Sequence, residues 1–137
     1  MTANMEPSRI SRRRDLPEAG LRPLAPVDLA PLLGIWVNFD LKSRGIARLE
    51  LEERQGGLTV RVFGAAYWGE VPAFPFTDGV GLHAAVAFNA FYDFGGVRVT
   101  LACYLNKRLL VVDAYTTFHD GSGRSPYFAR DHFYIPG

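Results

Sequence analysis

The sequence has a single cysteine, Cys103, so no intramolecular disulfide forms and an oxidising compartment is not implied. Cys103 lies in the apolar run 97–105 with no neighbour that lowers a thiol pKa, and a buried structural thiol is expected. Histidine is nearly as scarce. His83, His119 and His132 are scattered, none has a second His or Cys at ligand spacing, and no metal site is expected. An excess of one charge is also missing. Lys and Arg total 15 against 14 Asp and Glu, a net charge of +1, which argues against nucleic acid as the main partner.

No stretch approaches the roughly 18 apolar residues of a spanning helix. The N-terminal arginines Arg9, Arg12, Arg13 and Arg14 are not followed by the apolar core of a secretory signal. No membrane contact and a cytoplasmic location are therefore expected. The Gly-x-Ser-x-Gly elbow is missing and no phosphate-loop spacing occurs, so neither covalent hydrolase chemistry nor a bound cofactor is expected.

What is present is an ordinary globular composition, 48% hydrophobic and 21% charged in 137 residues, which fits one domain. Residues 1–26 hold four of the nine prolines and little periodicity, and are read as a flexible or wrapping arm. Residues 27–137 form the folded domain. Asp28 is positioned to cap a short helical turn that Pro31 limits.

Strand patterns follow in close order. Leu33–Asp40 alternates Gly34, Trp36, Asn38 and Asp40 against Ile35, Val37 and Phe39. The stretches 46–53 and 58–63 alternate again across the hairpin signal Gln55-Gly56-Gly57. Residues 64–81 are aromatic, and Pro72 and Pro75 are expected to break sheet pairing there, leaving at most an irregular edge strand. Strands resume at 82–91, 97–105, 109–118 and 127–135. About seven or eight strands linked mostly by hairpins, with no helix longer than a turn, predict an all-β fold: a single antiparallel up-and-down barrel. Such a barrel is just wide enough inside for side chains or one small ligand.

A short turn followed by Gly34-x-Trp36-x-Asn38 on the first strand resembles the calycins, the group of lipocalins, fatty-acid-binding proteins and avidins. The resemblance implies that Trp36 packs at the closed end of the barrel against an arginine of the last strand, for which Arg130 is the candidate. The Asn38 match, closer to avidins, implies an amide inside the barrel that hydrogen-bonds a ligand. Avidins use several further tryptophans, and this chain has only Trp68 besides, so biotin is not expected.

Candidate residues fall into groups with competing roles. Asn38 either reads a ligand group or, with Asp40, satisfies backbone groups near the mouth. Tyr67-Trp68-Gly69-Glu70 is either surface cover or a lid with aromatic contacts and one acid, Glu70. Arg124, in a glycine-rich loop, pairs with Asp120 or with a ligand carboxylate. Asp113 sits among apolar residues and needs a partner; Arg98, Arg48 and Arg130 are the candidates, and an Asp113–Tyr115 pair in a pocket would serve proton transfer.

The leading expectation is binding of an apolar or aromatic small molecule by Trp36, Asn38, Tyr67, Trp68, Asn89, Arg124 and Arg130. One alternative is a cofactor-free cyclase, isomerase or dehydratase using Glu70, Asp113, Tyr115 or His132. Another is a protein interaction module without a pocket, since Ile35, Val37 and Phe39 need cover; a homo-oligomer is open. A pocket lined by Asn38, Asn89 and aromatic rings would support the first two expectations, and a barrel filled by its own side chains would oppose them.

Overall fold

The computed structural model describes residues 26–137. The expected arm over residues 1–26 therefore lies almost entirely outside the described residues. After a 3-10 turn at Ala30–Leu32 come eight strands: β1 (Gly34–Asn38), β2 (Arg48–Arg54), β3 (Gly57–Phe63), β4 (Tyr67–Thr77), β5 (Ala85–Asp93), β6 (Val97–Asn106), β7 (Leu109–Phe118) and β8 (Tyr127–Tyr134). Each pairs antiparallel with the next, and β8 returns to β1, giving a closed up-and-down barrel. No described helix is long and apolar enough to cross a membrane.

The two-residue side-chain period sorts each strand into an inner and an outer row. Leu49 and Leu51 of β2, Val60 and Val62 of β3, Phe88 and Ala90 of β5, Leu101 and Cys103 of β6, and Phe133 of β8 are fully or nearly fully buried and form the core. Burial of each large side chain contributes about 1.5–3 kcal/mol. Cys103 is among them, and burial pushes its thiol pKa up.

One end of the barrel is sealed by the chain that enters it. The N–H of Asp28 donates to His83 O (2.7 Å) and that of Ala85 to Asp28 O (2.8 Å), so the entering segment is stitched to the start of β5. Leu29 and Leu32 fill the opening, and Trp36 lies directly inside them, with its indole Nε1–H donating to Leu32 O at 2.9 Å. A buried indole needs such an acceptor.

β4 corrects the expectation for residues 64–81. It is an eleven-residue wall strand despite Pro72 and Pro75. Its stagger explains the tolerance. Tyr67–Ala73 pairs with β3 and Ala73–Thr77 with β5, so each half has a ladder on one side only. Alternate N–H groups in a one-sided half have no ladder partner to lose. At its start, Gly69 opposes Val62 while Tyr67 opposes Phe63, which leaves Trp68 as the extra residue of a β-bulge, and Gly69 takes φ +102°. The bulge turns Trp68 inward next to the inward Gly69.

Two hairpins turn through paired positive-φ residues, as type I′ turns require. One uses Gln55 and Gly56, and the other Lys107 (φ 51°) and Arg108 (φ 73°). A side chain in that region costs about 1–2 kcal/mol. Arg108→Gly is expected to stabilise the protein by roughly 0.5–1.5 kcal/mol, after the extra chain entropy of glycine is subtracted. Urea unfolding measures this, and an unchanged midpoint would show that the turn is not strained.

Candidate functional site

The barrel is closed by hydrogen bonding only toward its sealed end. β1 has five residues, and its register with β8 covers Val37↔Tyr134 and Asn38↔Phe133, with Phe39 N–H donating to His132 O. β7, by contrast, pairs with β8 along Tyr127–Phe133. The first half of β8 therefore has a neighbour on one side only. Its inward residues are not shut away: Tyr127 is 57% exposed, Ala129 is exposed and Asp131 is half-buried.

A cavity of about 640 Å3 opens at this seam. Its floor is Val112, Ala114 and Thr116 of β7, its sides are Tyr127, Ala129 and Asp131 of β8, and its rim is Ser43–Ile46, Ala65, Ala66 and Trp68. Close approach of glycine backbones holds the rim together. A Cβ on Gly64 would sit 3.0 Å from Gly45 O and 3.2 Å from Trp68 Nε1, and one on Gly45 would sit 4.0 Å from Asp131 Oδ2. Behind Trp68, its ring meets Tyr92 and Phe94 edge-on at 5.4 and 5.5 Å, and Tyr92 Oη–H donates to Gly69 O at 2.7 Å. The aromatic wall and the bulge thus fix each other.

Asp131 is the charged group inside. Its register partner is the core residue Val112, which places its carboxylate on the inner face. No described cation forms an ion pair with it; the ion pairs of β8 are made by Arg130 on the other face. Arg44 stands at the rim of the same cavity. The arrangement is a mainly apolar cleft with one carboxylate, the Ser43 and Thr116 hydroxyls, the Arg44 cation at its rim and two aromatic rings, Trp68 and Tyr127.

Of the residues singled out in the sequence, Trp68 lines this cavity. Trp36 is inside but at the sealed end, on Leu32, where with Leu105, Leu109, Tyr134 and Ile135 it lines a second cavity of about 490 Å3. Asn38 is buried and engaged by backbone: its amide donates to Ile46 O (2.8 Å) and accepts from the Asp40 N–H (2.8 Å). Asn89 pairs in register with Phe74 and faces outward, because Ala90 and Phe88 hold the inner row of β5. The pocket expected between Asn38 and Asn89 is thus replaced by packed core, and the open volume lies elsewhere.

The remaining residues are on the outer surface. Tyr67 stacks on Phe63 at 4.9 Å, in the wall and not in a lid. Glu70 accepts from Arg61 Nε at 3.0 Å, which raises the Arg61 pKa, and lies 3.6 Å from Arg54. Asp113 receives two hydrogen bonds from Arg130, at 2.7 and 2.9 Å, and that pairing raises the arginine pKa. Arg130 therefore serves Asp113, with its guanidinium 5.4 Å above Phe128, and is not the partner of Trp36. Tyr115 packs on Phe128 at 5.1 Å. His132 shares the outer row with Val111. Arg124 is bonded to Asp120 at 2.8 Å and lies over Phe118 at 4.0 Å. Hydrogen bonds from Ser122, then from Arg124, hold the Asp120 carboxyl well below its ordinary range.

Asp131, Tyr127 and Thr116 were missed by sequence reasoning. The alternation that groups Tyr127, Ala129, Asp131 and Phe133 is plain, but both rows of β8 are aromatic, so hydrophobicity does not say which is inner. The signal that finds them is register. Counting back from the Lys107-Arg108 turn sets the β6–β7 faces, and the Asp113–Arg130 pair then sends Asp131 inward.

Comparisons of the chain with protein-family models, with curated proteins and with solved structures return no match.

The Tyr92 phenol gives a pH test of the wall. Burial, followed by the neighbouring Tyr67 and Glu70 charges, pushes its pKa above the ordinary phenol value. In the unfolded chain it ionises near pH 10. Above that pH the unfolded state binds fewer protons than the folded state, so stability falls as pH rises. Unfolding midpoints between pH 8 and pH 11 are expected to fall more steeply for the wild type than for Tyr92→Phe; parallel curves would refute the burial of this phenol.

Proposed function

We propose that the cleft between β8 and the β1–β2 loop binds a small molecule with an apolar or aromatic body and one amine or hydroxyl group. The observation that carries this is the Asp131 carboxylate set on the inner face of a mainly apolar cleft, with no described cation in ion-pair contact with it. A half-buried charge there is costly unless it gains a partner, and a ligand donor supplies one. The cavity volume, about 640 Å3, lies within the roughly 300–1,000 Å3 of small-molecule sites. Trp68 and Tyr127 offer flat apolar contact, Thr116 a second hydrogen-bonding group. The calycin resemblance supports the same reading, since the eight-stranded closed barrel with a Trp at its sealed end is the architecture it implies.

A second reading, a cofactor-free isomerase, cyclase or dehydratase, is favoured by the same carboxylate. Asp131 is placed to take a proton from a bound carbon acid or hydroxyl, with the cleft fixing one conformer of the substrate. Under this reading the base is Asp131. Glu70 and Asp113, the acids favoured from sequence, are each engaged by an arginine on the outer wall.

A panel of aromatic amines, aromatic alcohols and fatty acids, followed by native mass spectrometry and tryptophan fluorescence, tests the proposal. Amines and alcohols are expected to bind and change the Trp68 emission. Asp131→Asn is expected to weaken amine binding about tenfold or more, as loss of a charged hydrogen bond does. Fatty acids alone binding, or binding indifferent to both Asp131→Asn and Trp68→Phe, would overturn it. Conversion of a bound probe that ceases in Asp131→Asn separates the enzyme from the binder.

A further inference from the structure

The outer surface of the barrel is divided in two. On β2, β3 and the start of β4 it carries a continuous ion-pair network: Arg48, Glu50, Glu52, Arg54, Arg61 and Glu70, with contacts of 2.9–3.6 Å. On the end of β4 and across β5–β8 it carries aromatic rings instead. Phe74, Phe76, Phe91, Tyr104, Tyr115 and Phe128 are each 37–54% exposed. The registers Phe91↔Thr100↔Tyr115↔Phe128, Phe74↔Asn89↔Ala102↔Asp113 and Phe76↔Ala87↔Tyr104↔Val111 place them in three adjoining rows.

We infer that this aromatic face is the seat of a second copy of the chain, joined about a two-fold axis with the two sheets face to face. Shape is the first argument. The rings stand on both sides of a low floor of Ala87, Asn89, Thr100 and Ala102, so the face carries a ridge and a trough of matching scale, as a self-complementary interface needs. Area is the second. Six rings about half exposed, at roughly 150–250 Å2 each, present about 600 Å2 before the floor is counted, close to the ~800 Å2 per partner of a stable interface.

Charge is the third argument. Asp113 and Arg130 are bonded to each other within the face, and Asp113 is only 6% exposed, so a charged partner finds no unpaired complement there. Residues 1–25 are the other available occupant. Their five arginines can stack on single rings, but they contain no aromatic residue to fill the trough between the rings, which a second copy of the face supplies. The inference is independent of the cleft, which opens on the inner side of β7 and β8.

Sedimentation equilibrium of the full chain from about 1 to 100 µM tests it. Twice the chain mass is expected. Phe91→Lys and Thr100→Arg, both within the face and outside the core, are each expected to raise the dissociation constant at least a hundredfold with the β-sheet circular dichroism unchanged. Glu52→Lys on the charged side is expected to leave it unaltered. If one variant fails to fold, the other still decides. A monomer at every concentration overturns the inference, as does an oligomer insensitive to the folded variants or one dispersed by Glu52→Lys alone.

Discussion

The shortness of β1 is the constraint on which the rest of the structure depends. Five residues span too little of the barrel height to cover β8, so closure by hydrogen bonds is confined to one end. At that end the core is packed: Leu32 and Trp36 are locked by one hydrogen bond, and Phe88, Phe133 and the leucines of β2 and β6 lie behind them. At the other end the chain leaves β1 as the loop around Ser43–Ile46, which arches over the seam where a longer strand would have run. A packed end and an open cleft are therefore consequences of one strand length.

Fixing the rim of that cleft needs more than a loop. The bulge at Trp68 and Gly69 supplies it, because the extra residue turns a large ring into the interior at the place where the seam opens. Tyr92 then ties the bulge to β5 through Gly69 O, and Gly64 lets the β3–β4 turn meet Gly45 at backbone distance. The Trp68 wall of the cleft thus belongs to a packed aromatic cluster with Tyr92 and Phe94, while the rest of the rim is the Ser43–Ile46 loop and the β3–β4 turn.

The fold was legible because most strands alternate and the turns carry glycine or short polar runs: 46–53, 58–63 and 109–118 need no tertiary information to be read. β4 was not, since prolines argue against a wall strand unless the stagger that leaves each half one-sided is known. The site was less legible. Asn89 and Asp113 sit in strands with apolar residues on both faces, where a binary pattern cannot choose the inner row. That ambiguity comes from the aromatic outer face itself. Aromatic side chains on the outer rows thus hide the inside of the barrel from a pattern-based reading.

Asp113 and Asp131 show how finely the register decides chemistry. They lie on adjacent strands, with Val112 opposite Asp131 and Asp113 opposite Arg130. One residue of offset sends one carboxylate out, to be neutralised by two hydrogen bonds from an arginine, and the other in, to a mainly apolar cleft. A slip of one position would exchange their environments and expose Phe133 in place of His132. The loop between the two strands guards against this. Asp120 gathers Ser122 and Arg124, Arg124 covers Phe118, and His119 N–H donates to Gly96 O, so the hairpin enters β8 in a single register. The glycine-rich loop that superficially resembles an anion site thus acts on the cleft from a distance: by holding the register of β8, it keeps a carboxylate inside the barrel.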